Sequence, residues 1–183
     1  MNNLLTSLGA AAALTFVAAT AATAGMTTTY QVTVVNTSDV ELIAPVLVAS
    51  TAHDADIFDG DYVTKEAEVQ VLTGDPAMLA ERIGEGATVA HGEDGPPGVL
   101  LAPGKSLVFE VTTDAPEIRI FAMVAPTVTK DHYLTTTVKF SESGDGMYSA
   151  SLDRFDIGHD EKSMDRMMVD NSAFGTVAIK KLK

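Results

Sequence analysis

"TYQVTVVN", Thr29 to Asn36, decides the fold by its period. Tyr30, Val32 and Val34 fall on one side of an extended chain and Gln31 and Thr33 on the other, because successive strand side chains point to opposite faces. Such alternation describes a strand with one face on a core and one in water. The same period returns further along. "LVFEVTT" (Leu107 to Thr113) places Leu107, Phe109 and Val111 on one face and leaves Glu110 on the other. "IAPVLVAS" is a second extended segment, with Pro45 marking an edge or a bulge, and "AEVQVL" (Ala67 to Leu72) is a short third. "EIRIFAMVAP" (Glu117 to Pro126) is apolar on both faces and reads as a central strand covered on both sides. "LTTTVKF", "MYSASLDRF" and the terminal "GTVAIKKLK" complete a set of about eight, separated by turns such as "SGDG".

One short helix is expected, near Pro76 to Ile83. In "GDPAMLAERIGEG", Asp75 can cap, Pro76 suits the first helical position and Gly84 can terminate. The following "GEGATVAHGEDGPPG" has no period and reads as a surface loop. Many short strands, a single helix and no internal repeat predict an all-β fold, an antiparallel β-sandwich.

Residues 1–24 carry no charged side chain, are rich in Ala, Leu and Thr, and end in Ala22-Thr23-Ala24, the small-x-small pattern of a signal peptide. A transmembrane anchor is the competing reading; the Ala/Thr richness and the lack of a basic stop favour export. Cleavage after Ala24 leaves residues 25–183 as one domain, secreted or periplasmic and not inserted in a membrane. The chain has no cysteine, so no disulfide holds it. Its 12 basic and 25 acidic side chains give a formal net charge of −13. That balance repels nucleic acid and anionic lipid, attracts divalent cations and keeps an exported protein in solution.

No nucleophile pattern stands out. There is no Gly-x-Ser-x-Gly, no His-Glu-x-x-His and no phosphate-cradling glycine loop. The four histidines, His53, His91, His132 and His159, are scattered, so no enzyme is expected. "LDRFDIGHDEKS" (Leu152 to Ser163) is the densest acidic stretch. It fails as an EF-hand, because Gly158 stands third where that loop needs an acidic or amide side chain. Its spacing suits two carboxylates, Asp156 and Asp160, bracketing a tight turn at a strand end: a hard-cation site, for which calcium suits the chemistry, or a solvated turn. "HDADIFDGD" (His53 to Asp61) reads as a solvated acidic loop, with a second cation site as its alternative. "SMDRMMVDNS" holds Met164, Met167 and Met168, which are expected to pack on a sheet; copper ligation with His159 is the alternative.

Taken in order, "TYQVTVVNTSDVELIAPVLVAS", "LAPGKSLVFEVT", "FAMVAPTVTKDHYLTT" and "LDRFDIGHDEKS" resemble the spondin domain, over about Tyr30 to Leu182. That module stands at the amino end of F-spondin and mindin, and alone in exported bacterial proteins. The resemblance implies a C2-like β-sandwich, calcium binding and an adhesive role toward a protein or glycan at the cell surface. By matching position it implies Asp156, Asp131 and Glu110 as ligands, with Asp160 closing the aromatic-Asp-x-Gly-x-Asp pattern. The chain departs from the family where "TVTK" separates Pro126 from Asp131, where His132 replaces an aromatic residue, and where Lys130 would oppose a cation. The expectation is therefore an exported calcium-binding module with metal ligands Glu110, Asp131, Asp156 and Asp160. The alternatives are a structural envelope protein without metal and an exported hydrolase using Glu110 and Asp156.

Overall fold

The alternation that opens the chain becomes the first strand, β1 (Thr28–Asn36), with Tyr30, Val32 and Val34 buried and the residues between them half-buried. The computed structural model describes residues 27–125, 131–141, 145–169 and 173–182. The expected leader, residues 1–24, and residues 126–130, where the resemblance places a turn, lie outside the described residues.

After β1 come β2 (Leu42–Ile43), β3 (Val46–Ser50), a 3-10 turn at Thr51–His53, α1 (Asp54–Ile57), β4 (Phe58–Asp59) and β5 (Tyr62–Val63). Two helices follow, α2 (Lys65–Thr73) and α3 (Ala77–Ile83), then a 3-10 turn at Gly84–Gly86 and β6 (Thr88–Ala90). The second half holds β7 (Ser106–Thr113), β8 (Glu117–Ala125), β9 (His132–Lys139), β10 (Met147–Asp156), β11 (Met167–Met168) and β12 (Gly175–Lys181). Strand accounts for 48% and helix for 18%, so the fold is all-β.

Hydrogen-bonded neighbours run β6-β3-β8-β9-β10-β12-β1-β7, and every pair is antiparallel. Strand β10 serves both halves of the sandwich: Met147–Leu152 pairs with β12, whereas Asp153–Asp156 pairs with β9. One sheet therefore passes into the other along β10, and the path ends at β6 and β7. Val32, Val34, Ile120, Leu134 and Ile179 meet between the layers. The other face of the β3-β8-β9 sheet carries Leu47, Phe121 and Tyr133, and it is covered by Ile57, Ala67, Val71 and Leu79 of the helices. Strand β8 feeds both cores, with Ile118 and Ile120 inward and Phe121 toward the helices, which is why its sequence is apolar on both faces.

Five expectations are corrected. "AEVQVL" is not a strand but the middle of α2. Thr64 caps that helix, its Oγ1 accepting the Ala67 N–H at 3.4 Å, and Gly74 ends it with φ of 77°. Three short helices therefore replace the expected one; α3 itself lies where expected, with Asp75 Oδ1 accepting the Ala77 N–H at 3.0 Å. The "GEGATVAHGEDGPPG" loop contains β6, too short to show a period, whose Thr88 and Ala90 pair with Val48 and Val46. The acidic stretch from His53 is partly helical, and two of its four carboxylates meet arginines: Asp54 binds Arg119 at 2.6 Å and Asp56 binds Arg82 at 3.1 Å, while Asp59 and Asp61 are exposed. Finally, Met164, Met167 and Met168 do not pack on a sheet face; they are 43–58% exposed, two of them on the short strand β11.

Candidate metal centre

Strand β9 starts at His132, strand β10 stops at Asp156, and the register sets these two residues opposite each other. Directly opposed residues in an antiparallel pair lie about 4.5–5.5 Å apart, close enough for their side chains to meet. Asp131 precedes His132 and completes the group. One donor atom from each of Asp131, His132 and Asp156 lies within 4.8 Å of the others. Asp131 is 2% and His132 6% exposed, and the Asp156 side chain 18%.

The turn after β10 holds the carboxylates in place. Asp156 Oδ1 accepts the Gly158 N–H at 2.6 Å, an Asx turn, and Ile157 N–H donates to the Asp131 carbonyl at 3.2 Å. The Asp160 N–H then donates to Asp131 Oδ2 at 3.1 Å. "FDIGHD" thus folds back over the start of β9, and each carboxylate has one oxygen fixed by a backbone donor. Gly158 makes this turn feasible, because its φ is 67° and a Cβ there would collide with Ser163 Oγ.

Two residues before Asp156, on the same face, stands Arg154. Its Nε donates to His132 Nδ1 at 2.7 Å. Its terminal nitrogens donate to both oxygens of Glu41 at 2.8 and 3.1 Å, and the guanidinium lies 5.4 Å from the Phe174 ring centroid. The other ring nitrogen, His132 Nε2, is 3.4 Å from Asp156 Oδ2. Further out, Tyr62 donates to Glu68 Oε1 at 2.8 Å. Burial first, then that bond and the charges of Glu68 and Asp131, push the Tyr62 phenol well above its ordinary value, so it stays protonated. His159 stands 3.9 Å from Glu68 and 3.7 Å from the Asp160 carboxylate.

Of the four residues expected as ligands, the fold brings two together, Asp131 and Asp156. Asp160 contributes its backbone N–H, while its carboxylate is 63% exposed and outside the group. Glu110 does not join. It is exposed on β7 opposite Gln31, and strands β1 and β12 separate β7 from β10. Its alternation was read correctly, but alternation gives the face of a strand and not the strand's place in the sheet. His132, Arg154 and Glu41 were not anticipated. The signals for the first two were the adjacency of His132 to Asp131 and the i, i+2 spacing of Arg154 and Asp156. A cleft of about 620 Å³ lies at the opposite rim, around Tyr30, Phe140 and Tyr148, away from the carboxylates. Among the described residues, no helix is long and apolar enough to cross a membrane. No family model matches the chain, and no curated protein matches it.

Proposed function

We propose that this is an exported, non-enzymatic binding module of spondin type, and that Asp131 and Asp156 hold a divalent cation, calcium, at one rim of the sandwich. One observation carries the reading. Among the described residues, neither carboxylate forms an ion pair with a lysine or arginine, although Asp131 is buried and Asp156 nearly so; only the His132 ring stands against Asp156. A buried carboxylate without a counter-charge is strongly disfavoured, and a bound cation supplies that charge. Calcium takes six to eight oxygens, with water completing what the protein lacks. Bound there, it would tie the start of β9 to the end of β10 and stiffen the rim for a protein or glycan partner. A structural envelope protein without metal is the rival reading.

Calorimetric titration decides between them. Calcium is expected to bind with a dissociation constant of about 10⁻⁴ to 10⁻³ M, the range of extracellular modules. Asp156→Asn should weaken that binding and keep the fold. If sodium or magnesium at matched ionic strength acts as calcium does, and Asp156→Asn changes nothing, the rim is only an acidic surface.

A further inference from the structure

We propose that Arg154 determines which metals this centre accepts, by fixing His132 in a tautomer that cannot ligate. The inference rests on the cation-site reading above and concerns its selectivity. An Asp-His-Asp group would ordinarily suit zinc and other first-row ions, which favour imidazole nitrogen beside carboxylate oxygen. Calcium would compete poorly for such a set.

The hydrogen-bond directions exclude the nitrogen. The guanidinium Nε is always a donor and never an acceptor. At 2.7 Å from His132 Nδ1 it engages the lone pair of that atom. The single proton of the neutral ring is then on Nε2, the nitrogen 3.4 Å from Asp156 Oδ2. One nitrogen has its lone pair occupied and the other carries hydrogen, so neither is a ligand. Turning the ring over would set a carbon against the Arg154 N–H and lose the bond. In metal centres a ligating histidine offers the N–H of its second nitrogen to an acceptor. Here a donor stands in that place.

Arg154 is itself held. Glu41 takes two of its nitrogens, Phe174 lies against the guanidinium, and the Arg154 and Glu41 side chains are 17% and 16% exposed. With Arg154 in place, the centre presents its metal with oxygen alone, from Asp131 and Asp156. His132 then orients Asp156 and binds no metal.

Long-range proton–nitrogen NMR of the wild-type histidine rings reads the tautomer directly. The proton of His132 is expected on Nε2; finding it on Nδ1 overturns the proposal. The second measurement is cobalt(II) uptake, followed by its visible absorption, beside calcium titration. Glu41→Gln with Arg154→Met removes the guanidinium together with the charge of its Glu41 partner. It should raise cobalt affinity about ten- to a hundredfold, the scale on which outer partners change metal binding. Adding His132→Gln should abolish the gain. Glu41→Gln alone, the milder variant should the double one not fold, should give a smaller gain. A wild type that binds calcium, with folded variants that gain no cobalt, refutes the role of Arg154 and leaves the calcium reading standing. A wild type that takes up neither ion refutes the cation site itself, and the selectivity proposal with it.

Discussion

At Gly158 the chain turns with φ of 67°, and the N–H of that residue is the donor that fixes Asp156. Alanine there should cost about 1–2 kcal/mol for the left-handed backbone alone, with a further loss because its Cβ would strike Ser163 Oγ. Urea unfolding of Gly158→Ala, compared with Gly158→Ala/Ser163→Gly, separates the two parts. The double variant should recover the collision and keep the backbone cost, and equal losses would mean that the serine is not in the way. Calcium affinity should fall in both, since the turn that aims Asp156 is loosened. Asp131→Asn should weaken calcium binding as Asp156→Asn does. Glu110→Gln should leave it unchanged, because that carboxylate is exposed three strands along the sheet order from β10. Loss of binding in Glu110→Gln would mean that the arrangement of β7 is misread.

Elements with one wet and one buried face were legible from period alone: β1, β7 and β12 each alternate, and β8 announced its double cover by the run at residues 120–125, apolar on both faces. The helix α2 was not legible in that way. Val69 and Val71 mimic a strand at two-residue spacing, yet the buried positions are Ala67, Gln70 and Val71, at i, i+3 and i+4. Packing on the outer face of the sheet selects the helix, and the Gln70 amide donates to the Pro45 carbonyl at 3.3 Å. What the sequence did hold was the cap. Thr64 accepts from Ala67 N–H and donates to the Asp56 carbonyl at 2.7 Å, linking α2 to α1. Thr64→Ala should therefore lower stability by about 1–2 kcal/mol in thermal or urea unfolding; a change below about 0.3 kcal/mol would show that the cap contributes little. The centre divides along the same line. Asp156 was readable as a strand-end carboxylate from its spacing, whereas Asp131 was expected only from its matching position in the spondin resemblance. The pairing of His132 with Asp156 is a register between strands 24 residues apart, and no local pattern encodes it.

Across the whole molecule, a formal charge of −13 and a pI near 4.5 make stability depend on salt and acid. Asp56, Glu66 and Glu117 all titrate below the ordinary carboxylate range. Hydrogen bonding to His53 is the first cause for Asp56, a backbone donor for Glu66 and the Thr51 hydroxyl for Glu117, with Arg82 and Lys139 adding attraction. A depressed carboxylate contributes stability that is present above its unfolded pKa and is lost as pH falls through its folded one. The melting temperature should therefore drop on the acid side of about pH 4. All three groups are solvent-facing, so the drop should shrink as salt is added. A melting temperature that holds steady from pH 4 to pH 2 would contradict this.

Calcium is the stronger test at this scale, because calcium bound at Asp131 and Asp156 would link the start of β9 to the end of β10, while screening acts on every charge. A ligand bound only by the folded state stabilises by RT ln(1 + [L]/Kd), about 1.4 kcal/mol at ten times Kd. For a domain of this size that corresponds to a rise of about 3–6 °C in Tm. Ionic strength must be fixed with an inert salt, since a −13 protein gains from general screening as well. Under that condition wild type should rise on adding calcium, and Asp156→Asn should rise far less. The calcium-free forms of both should melt within about 1–2 °C of each other, because the variant keeps the shape of the turn and relieves one unpaired charge. Should calcium raise both proteins equally, its effect is screening by a divalent ion, and the Asp131–Asp156 rim holds no metal.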